Sequence, residues 1–231
     1  MRPAALTIDL DYWQKDPHTN YGQSSCDRYS NYSQSSCEKF LKNICGKYKG
    51  EIQIYREHDH MVEDLNNGIE YDTLINIDQH DDLADDIVDP HPNECHSGNW
   101  PFFLRNRRDL EYVWCSDPDS SIRVPGYNAH KFYGFKKYTE KDGIDLDLLR
   151  RVDLKFIGVC YSADWVDPIS ICDGLCWLLR QKNCRIEKLD FDCIMRDLLG
   201  RATPGEDFFC GSMSLNERIA INKQQLIAKG A

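Results

Sequence analysis

The alternation of apolar and polar positions divides the chain into short extended runs and helical stripes. Four runs are short, rich in Ile, Val, Leu and Thr, and bounded by polar residues, the pattern of strands buried in a sheet. They are ALTIDLDYW (residues 5–13), EIQIYREH (51–58), DTLINIDQH (72–80) and KFIGVCYSA (155–163). Between the first two, SSCEKFLKNICGKYKG (35–50) sets Phe40, Leu41 and Ile44 on one helical stripe that Gly46 or Gly50 can end. DHMVEDLNNG (59–68) predicts a short helix stopped by Gly68. DGLCWLLRQKN (173–183), DFDCIMRDLLG (190–200) and SLNERIAINKQQLIAKG (214–230) keep a helical period, the last with Ser214 as N-cap and Glu217 at the capping-box position. Strands alternating with helices predict an α/β fold of three layers, α/β/α, in which a mostly parallel central sheet is covered on both faces. Residues 105–143 follow neither period and are expected to form loop and hairpin excursions over one rim, with Arg105, Arg107 and Arg108 on a solvated face.

Length and composition narrow this picture. At 231 residues the chain is long enough for one sizeable core, and residues 1–231 are taken as a single domain. No apolar run approaches the length of a membrane span, so no membrane partner is expected. Asp9 and Asp11 interrupt the N-terminus before a signal-peptide core can form, which predicts a cytoplasmic location. The eleven cysteines are odd in number and irregular in spacing, so reduced thiols are expected. Cys172 and Cys176, four apart, suit one apolar helix face better than a zinc clasp. A net charge of −10 argues against a nucleic-acid backbone as partner and favours cations. The motif Tyr-x-Gln-Ser-Ser-Cys occurs at Tyr21 and again at Tyr32, too short a repeat for a solenoid, and reads as a local duplication.

The candidate chemistry lies where the predicted strands end. Strands of a parallel sheet present their C-terminal ends to one crevice. Three of those ends carry acids and imidazoles: Asp9 and Asp11 on the first, His58 and His60 on the second, Asp78, His80 and Asp82 on the third. Residues two apart on a strand point the same way, so Asp9 with Asp11, and Asp78 with His80 and Asp82, are sets that can converge. An Asp-x-His-x-Asp alone fits equally well an acidic strand-to-helix turn with Asp82 as a cap. Seven carboxylates and imidazoles at three consecutive strand ends, however, gather acids that repel one another and call for a cation. Carboxylates and imidazoles without thiolate favour Mn²⁺ or a related divalent ion over a structural zinc, and the ligands suffice for two ions.

At these residues the chain resembles a known superfamily. IDQHDD is similar to the Asp-x-His-x-Asp signature of the arginase and histone-deacetylase fold, and TIDLDYW to its Asp-x-Asp strand. EHD (57–59) resembles the segment that supplies the first histidine ligand there, and HSGNWPFFL the Ser-Gly-Asn stretch of the arginase substrate loop. IYREHDHMVEDL, INIDQHDDL, GNW and VCYSADW together are closest to the branch that includes the peptide arginases. The resemblance covers scattered motifs within residues 6–168. It implies a hydrolase with two Mn²⁺ ions that turns arginine side chains of a peptide into ornithine and releases urea. In that reading Asp9, Asp11, His58, Asp78, His80 and Asp82 hold the ions, with Asp78 and Asp9 bridging, and a water shared by the ions is activated at neutral pH. Asp82 and His96 are the catalytic candidates, His96 carrying a proton to the leaving amine. Asp164 pairs with the guanidinium, beside Ser162 and Asn99 as further substrate contacts. His60 is expected as a partner of a ligand or as a surface histidine, and Trp100 as a lining or packing residue at the mouth.

The pattern departs from the superfamily at three places. Asp9 and Asp11 precede the Asp-x-His-x-Asp strand instead of following it, so the metal-binding strand is permuted; Asp145 and Asp147 in IDLDLL are the rival pair in normal order, although that stretch reads as a helix start after Gly143. The arginase histidine after Ser-Gly-Asn falls at Pro101, with His96 nearby. The acid that holds the guanidinium falls near Cys160, leaving Asp164 as the nearest carboxylate. Three other classes fit the same residues: a deacetylase-like hydrolase with one metal, a two-metal nuclease, which the net charge disfavours, and a non-catalytic metal-binding module.

Overall fold

The computed structural model describes residues 1–13, 34–83, 94–118 and 134–162, with 175, 177–178, 181, 183–186, 209–210 and 213–214. Seven strands form one sheet: β1 (Arg2–Asp9), β2 (Ile52–Tyr55), β3 (Thr73–Ile77), β4 (Glu111–Ser116), β5 (Lys137–Asp142), β6 (Val152–Cys160) and β7 (Cys184–Ile186). Their order is β5-β4-β3-β1-β6-β2-β7, and every pairing is parallel. Phe209–Cys210 and Met213–Ser214 make a separate antiparallel pair. Ser214, expected as an N-cap, is extended there, and the helix expected to follow it lies outside the described residues.

Pleat alternation sorts the strand side chains into two cores. Leu6, Ile8, Ile75, Ile77, Ile157 and Val159 face one side, packed with Phe40 and Leu41 of helix α1 (Gln34–Ile44) and Leu149 of α3 (Leu146–Arg151). Ala5, Leu74 and Phe156 face the other, with Met61, Leu65 and Trp100, which lie on the turn His58–Met61, helix α2 (Val62–Asn66) and the turn Trp100–Phe103. Helices therefore cover both faces, and β3 throughout and β1 from Ala4 onward are buried, as parallel strands are. Gly68 takes φ +97° just beyond α2, a left-handed turn that stops the helix where the sequence predicts. No helix among the described residues is long and apolar enough to cross a membrane. The described cysteines Cys37, Cys45, Cys95, Cys115, Cys160 and Cys184 are free thiols.

Residues 105–143 correct the expectation of loops and hairpins, because they contribute two parallel strands of the main sheet. β4 is buried on both faces after its first residue and so carries no alternation to read. β5 is an edge strand of charged residues, KYTEKD, a composition that protects an edge from further pairing but looks like loop. Nor are all three arginines solvated: Arg107 donates to the Phe102 carbonyl at 2.9 Å and lies over the Phe102 ring.

The topology decides where a site sits. From β1 the chain crosses to β2 on one side, whereas from β3 it continues to β4 on the other. β1 and β3 are neighbours, so their C-terminal ends flank a topological switch point, the place where open α/β sheets form a crevice. Ile8 is paired with Ile77, which brings Asp9 beside Asp78 although they lie 69 positions apart in the chain.

Candidate metal centre

The strands end earlier than their apolar pattern suggests, and polar turns take over. β1 stops at Asp9, whose Oδ1 accepts the Asp11 N–H at 2.9 Å as the chain enters the tight turn Leu10–Trp13. β3 stops at Ile77, and Asp78 Oδ1 accepts the His80 N–H at 2.9 Å. His58 opens a second tight turn beyond β2. The acids therefore converge through Asx-type turns, in which a short carboxylate captures a backbone N–H two residues on. The strand pleat invoked from the two-residue spacing is not what brings them together.

All six residues expected to hold ions meet there. His58 Nδ1 lies 3.4 Å from Asp9 Oδ2 and 3.4 Å from Asp82 Oδ2, and its Nε2 lies 3.7 Å from Asp78 Oδ2. His80 Nδ1 lies 3.6 Å from Asp11 Oδ2 and 3.7 Å from Asp78 Oδ1. Asp11, Asp78 and His80 form one set of mutually close donor atoms, and His58, Asp78 and Asp82 another, with Asp78 common to both. A third set joins Asp9 and His58 to Cys160. The His58 imidazole is 2% exposed and that of His80 33%, so His80 forms the accessible edge of the cluster among the described residues.

Burial and mutual repulsion govern the electrostatics. Burial, then the charges of Asp11 and Asp78, push the Asp9 carboxyl well above the usual carboxylate range. Burial and the Asp78 charge do the same to Asp82, and bring Asp11 up to about 6. Asp78 goes the other way: burial opposes it, but the His80 hydrogen bond and the His58 and His80 charges hold it low. His80 is the cation of the group; against burial, the hydrogen bonds and charges of Asp11 and Asp78 push it up to about 12. His58 is lowered by burial. Four carboxylates could ionise together only beside compensating positive charge, which two divalent ions would supply. Asp11 Oδ1 and His58 Nε2 are buried without a hydrogen-bond partner. Orphaned donor atoms of this kind in an oxygen and imidazole cluster fit a divalent cation.

A shell of hydrogen bonds that no motif announced holds the acids in place. Trp100 is fully buried, donates its indole N–H to Asp82 Oδ2 at 2.6 Å and stacks on His58 with centroids 5.4 Å apart. Trp114 donates to the Asp78 carbonyl at 3.0 Å, and Gln79 Nε2 to the Asp11 carbonyl at 2.9 Å. Ser162 Oγ donates to Asp9 Oδ2. Beneath the cluster, Thr7 Oγ1 donates to Asn76 Oδ1 at 2.7 Å, and Asn76 Nδ2 reaches Asp78 Oδ2 at 3.3 Å and the Tyr112 hydroxyl at 3.1 Å. A polar Asn in the middle of TLINI and a Thr in ALTID were the sequence signals for this network. Asp82 and Ser162 both have positive φ, +54° and +39°, a conformation costly for non-glycine residues and one that gathers at functional sites.

The remaining candidates are engaged in other contacts, exposed, or outside the described residues. Asn99 is buried, but its Oδ1 accepts the His96 N–H at 2.8 Å and its Nδ2 donates to the Glu94 carbonyl at 3.0 Å, so its amide braces a turn. His96 is exposed on that turn, its Nδ1 accepting the Gly98 N–H at 3.2 Å. His60 is exposed. Asp164 lies outside the described residues. The rival acids serve α3: Asp145 is its N-cap, accepting the Leu148 N–H at 2.8 Å, and exposed Asp147 pairs with Arg150. A cavity of about 930 Å³ lies between α1 and α3, lined by residues such as Phe40, Ile44, Leu149 and Val152; none of the six clustered side chains borders it.

Fold and site together define an α/β protein with an all-parallel sheet and a buried carboxylate–imidazole cluster at its switch point. No protein family, characterised protein or solved structure compared with the chain matches it.

Proposed function

We propose that the protein is a metal-dependent hydrolase of arginase-like architecture, a peptide arginase that converts arginine side chains within a peptide to ornithine and releases urea. The observation that carries the metal-dependent part is the meeting of Asp9, Asp11, His58, Asp78, His80 and Asp82 in one buried cluster, with Asp11 Oδ1 and His58 Nε2 lacking hydrogen-bond partners. The choice of arginine in a peptide rests on the likeness of IDQHDD, TIDLDYW and HSGNWPFFL to the peptide-arginase branch. Asp11, Asp78 and His80 would hold one ion and His58, Asp78 and Asp82 the other, with Asp9 beside them; manganese suits such oxygen and imidazole donors. When bound, a pair of divalent ions supplies Lewis acidity and makes water a nucleophile near neutral pH.

The chain's own groups have separate tasks in this reading. Trp100 fixes the Asp82 carboxylate and Ser162 fixes that of Asp9, so neither acid has to reorganise when the substrate arrives. Asp164 pairs with the guanidinium through charge-assisted hydrogen bonds. Water adds to the guanidinium carbon, the bond from that carbon to the side-chain nitrogen breaks, and the departing amine takes a proton. His96 is the proton carrier. Because its Nδ1 accepts the Gly98 N–H, the proton is held at Nε2. Asn99, through the same turn, positions His96.

The test is metal analysis of purified protein together with a urea-release assay on arginine-containing peptides. About two divalent ions per chain, urea from peptides in preference to free arginine, and loss of both on Asp78→Ala are expected. Free arginine hydrolysed while peptides are not would overturn the substrate; acetyl-lysine peptides as the substrate would replace the reading with that of a deacetylase-like enzyme.

A further inference from the structure

We propose that Cys160 joins Asp9 and His58 in a thiol-bearing ion position, so that the centre takes a thiophilic divalent ion such as Zn²⁺ or Co²⁺ on its His58 side and an oxygen-preferring ion such as Mn²⁺ on its His80 side. The proposal rests on the reading that the cluster holds two ions, and departs from it in the ion at one of them.

The sheet order puts the thiol there. β6 lies between β1 and β2, and its last residue, Cys160, is paired with Asp9 on one side and with Tyr55 on the other. Tyr55 ends the strand that leads to His58. The three donor atoms, a carboxylate oxygen of Asp9, a ring nitrogen of His58 and Sγ of Cys160, lie within 4.8 Å of one another, and all three residues are buried. Within this set His58 turns Nδ1 toward Asp9, 3.4 Å from Asp9 Oδ2. Cys160 itself is held only by weak contacts, donating to the Arg56 carbonyl at 3.3 Å and lying 3.5 Å from Ser162 Oγ, which a cation can replace. The His80 side, by contrast, presents carboxylates and imidazole alone.

Donor chemistry then separates the two positions. A thiolate with imidazole and carboxylate is a borderline-soft set that zinc and cobalt prefer, whereas manganese prefers oxygen-rich sets. On binding, the bond from sulfur to hydrogen breaks, a bond from sulfur to the metal forms, and the proton passes to solvent. No electron is transferred.

Cobalt(II) reports directly on this arrangement, because thiolate ligation gives a charge-transfer band in the near ultraviolet that oxygen and nitrogen ligands do not. The full chain loaded with Co²⁺ should show that band, and Cys160→Ser should lose it. The same variant, with Cys160→Ala as a second, should lose at least about tenfold in Zn²⁺ affinity while still binding Mn²⁺ on the His80 side. Two bound Co²⁺ without the band, a band that survives in both variants, or unchanged Zn²⁺ affinity would overturn the proposal and leave the two-ion reading intact. Failure of the wild type to bind Co²⁺, Zn²⁺ or Mn²⁺ at all would overturn both.

Discussion

Trp100 couples two members of the cluster at once, donating to Asp82 and stacking on His58. Trp100→Phe keeps an aromatic face but leaves a buried carboxylate oxygen without its donor. The expected cost is about 1–3 kcal/mol in denaturant unfolding, with metal affinity lower by about 10–100-fold in a chelator competition. Unchanged values in both measurements would mean that the Asp82 carboxylate is held by something else. Asp145 makes the contrast, since its work is local. The Leu148 N–H, ahead of the weaker help of Lys141, holds its carboxyl below the usual range. A carboxyl depressed in the folded state stabilises above its unfolded value of about 3.9 and loses that contribution as pH falls through the lower folded value. Asp145→Ala should therefore cost about 1 kcal/mol at pH 7, the difference from wild type should shrink in acid, and metal content should not change.

At the scale of elements, the pairing of β1 with β3 is what assembles the cluster. Ala4 through Ile8 lie in register with Thr73 through Ile77, and the buried link from Thr7 to Asn76 ties the two strands two residues before Asp9 and Asp78, where the Asx turns begin. Asn76→Ala removes an acceptor from Thr7 and a donor from Asp78 and Tyr112. A loss of about 1–3 kcal/mol is expected, accompanied by weaker metal binding because Asp78 loses a fixed neighbour. Asp9→Ala and Asp11→Ala should act differently, cutting metal affinity by orders of magnitude while the secondary structure seen by circular dichroism persists. If Asp145→Ala and Asp147→Ala abolished metal binding and these two did not, β1 would not be the metal-binding strand.

For the whole molecule, the proposed metal centre predicts a link between stability and cations. Six ligand-type groups brought together only by folding would, on the proposed reading, bind ions in the native state and not in the unfolded chain, so each ion would add stability according to its free concentration. At a hundredfold excess over the dissociation constant this is about 2.7 kcal/mol. Thermal unfolding should shift upward with added Mn²⁺ and downward with a chelator, and Asp78→Ala, whose carboxylate belongs to two donor sets, should remove the shift. A midpoint that ignores both additions would argue that the cluster is compensated by protons alone.

The sequence by itself determined the α/β class and the chemistry at the strand ends. Runs such as ALTI and TLINI are short and apolar as buried strands are, and acids placed directly after them emerge at the sheet's C-terminal edge. It also determined that IDLDLL starts a helix, because Gly143 and a capping Asp145 are local signals. What the sequence left undecided depends on long-range contacts. β4 and β5 were hidden, one because burial on both faces erases alternation, the other because an edge strand is free to be polar. That Asp9 and Asp11 stand beside Asp78 follows from a strand order in which the first strand inserts between the third and the sixth, and no local pattern encodes it. The Asx turns that aim the acids, the indole on Asp82 and the thiol of Cys160 between the Asp9 and His58 strands are likewise tertiary facts. Each arises from the pairing of segments far apart in the chain, which only the folded packing could choose.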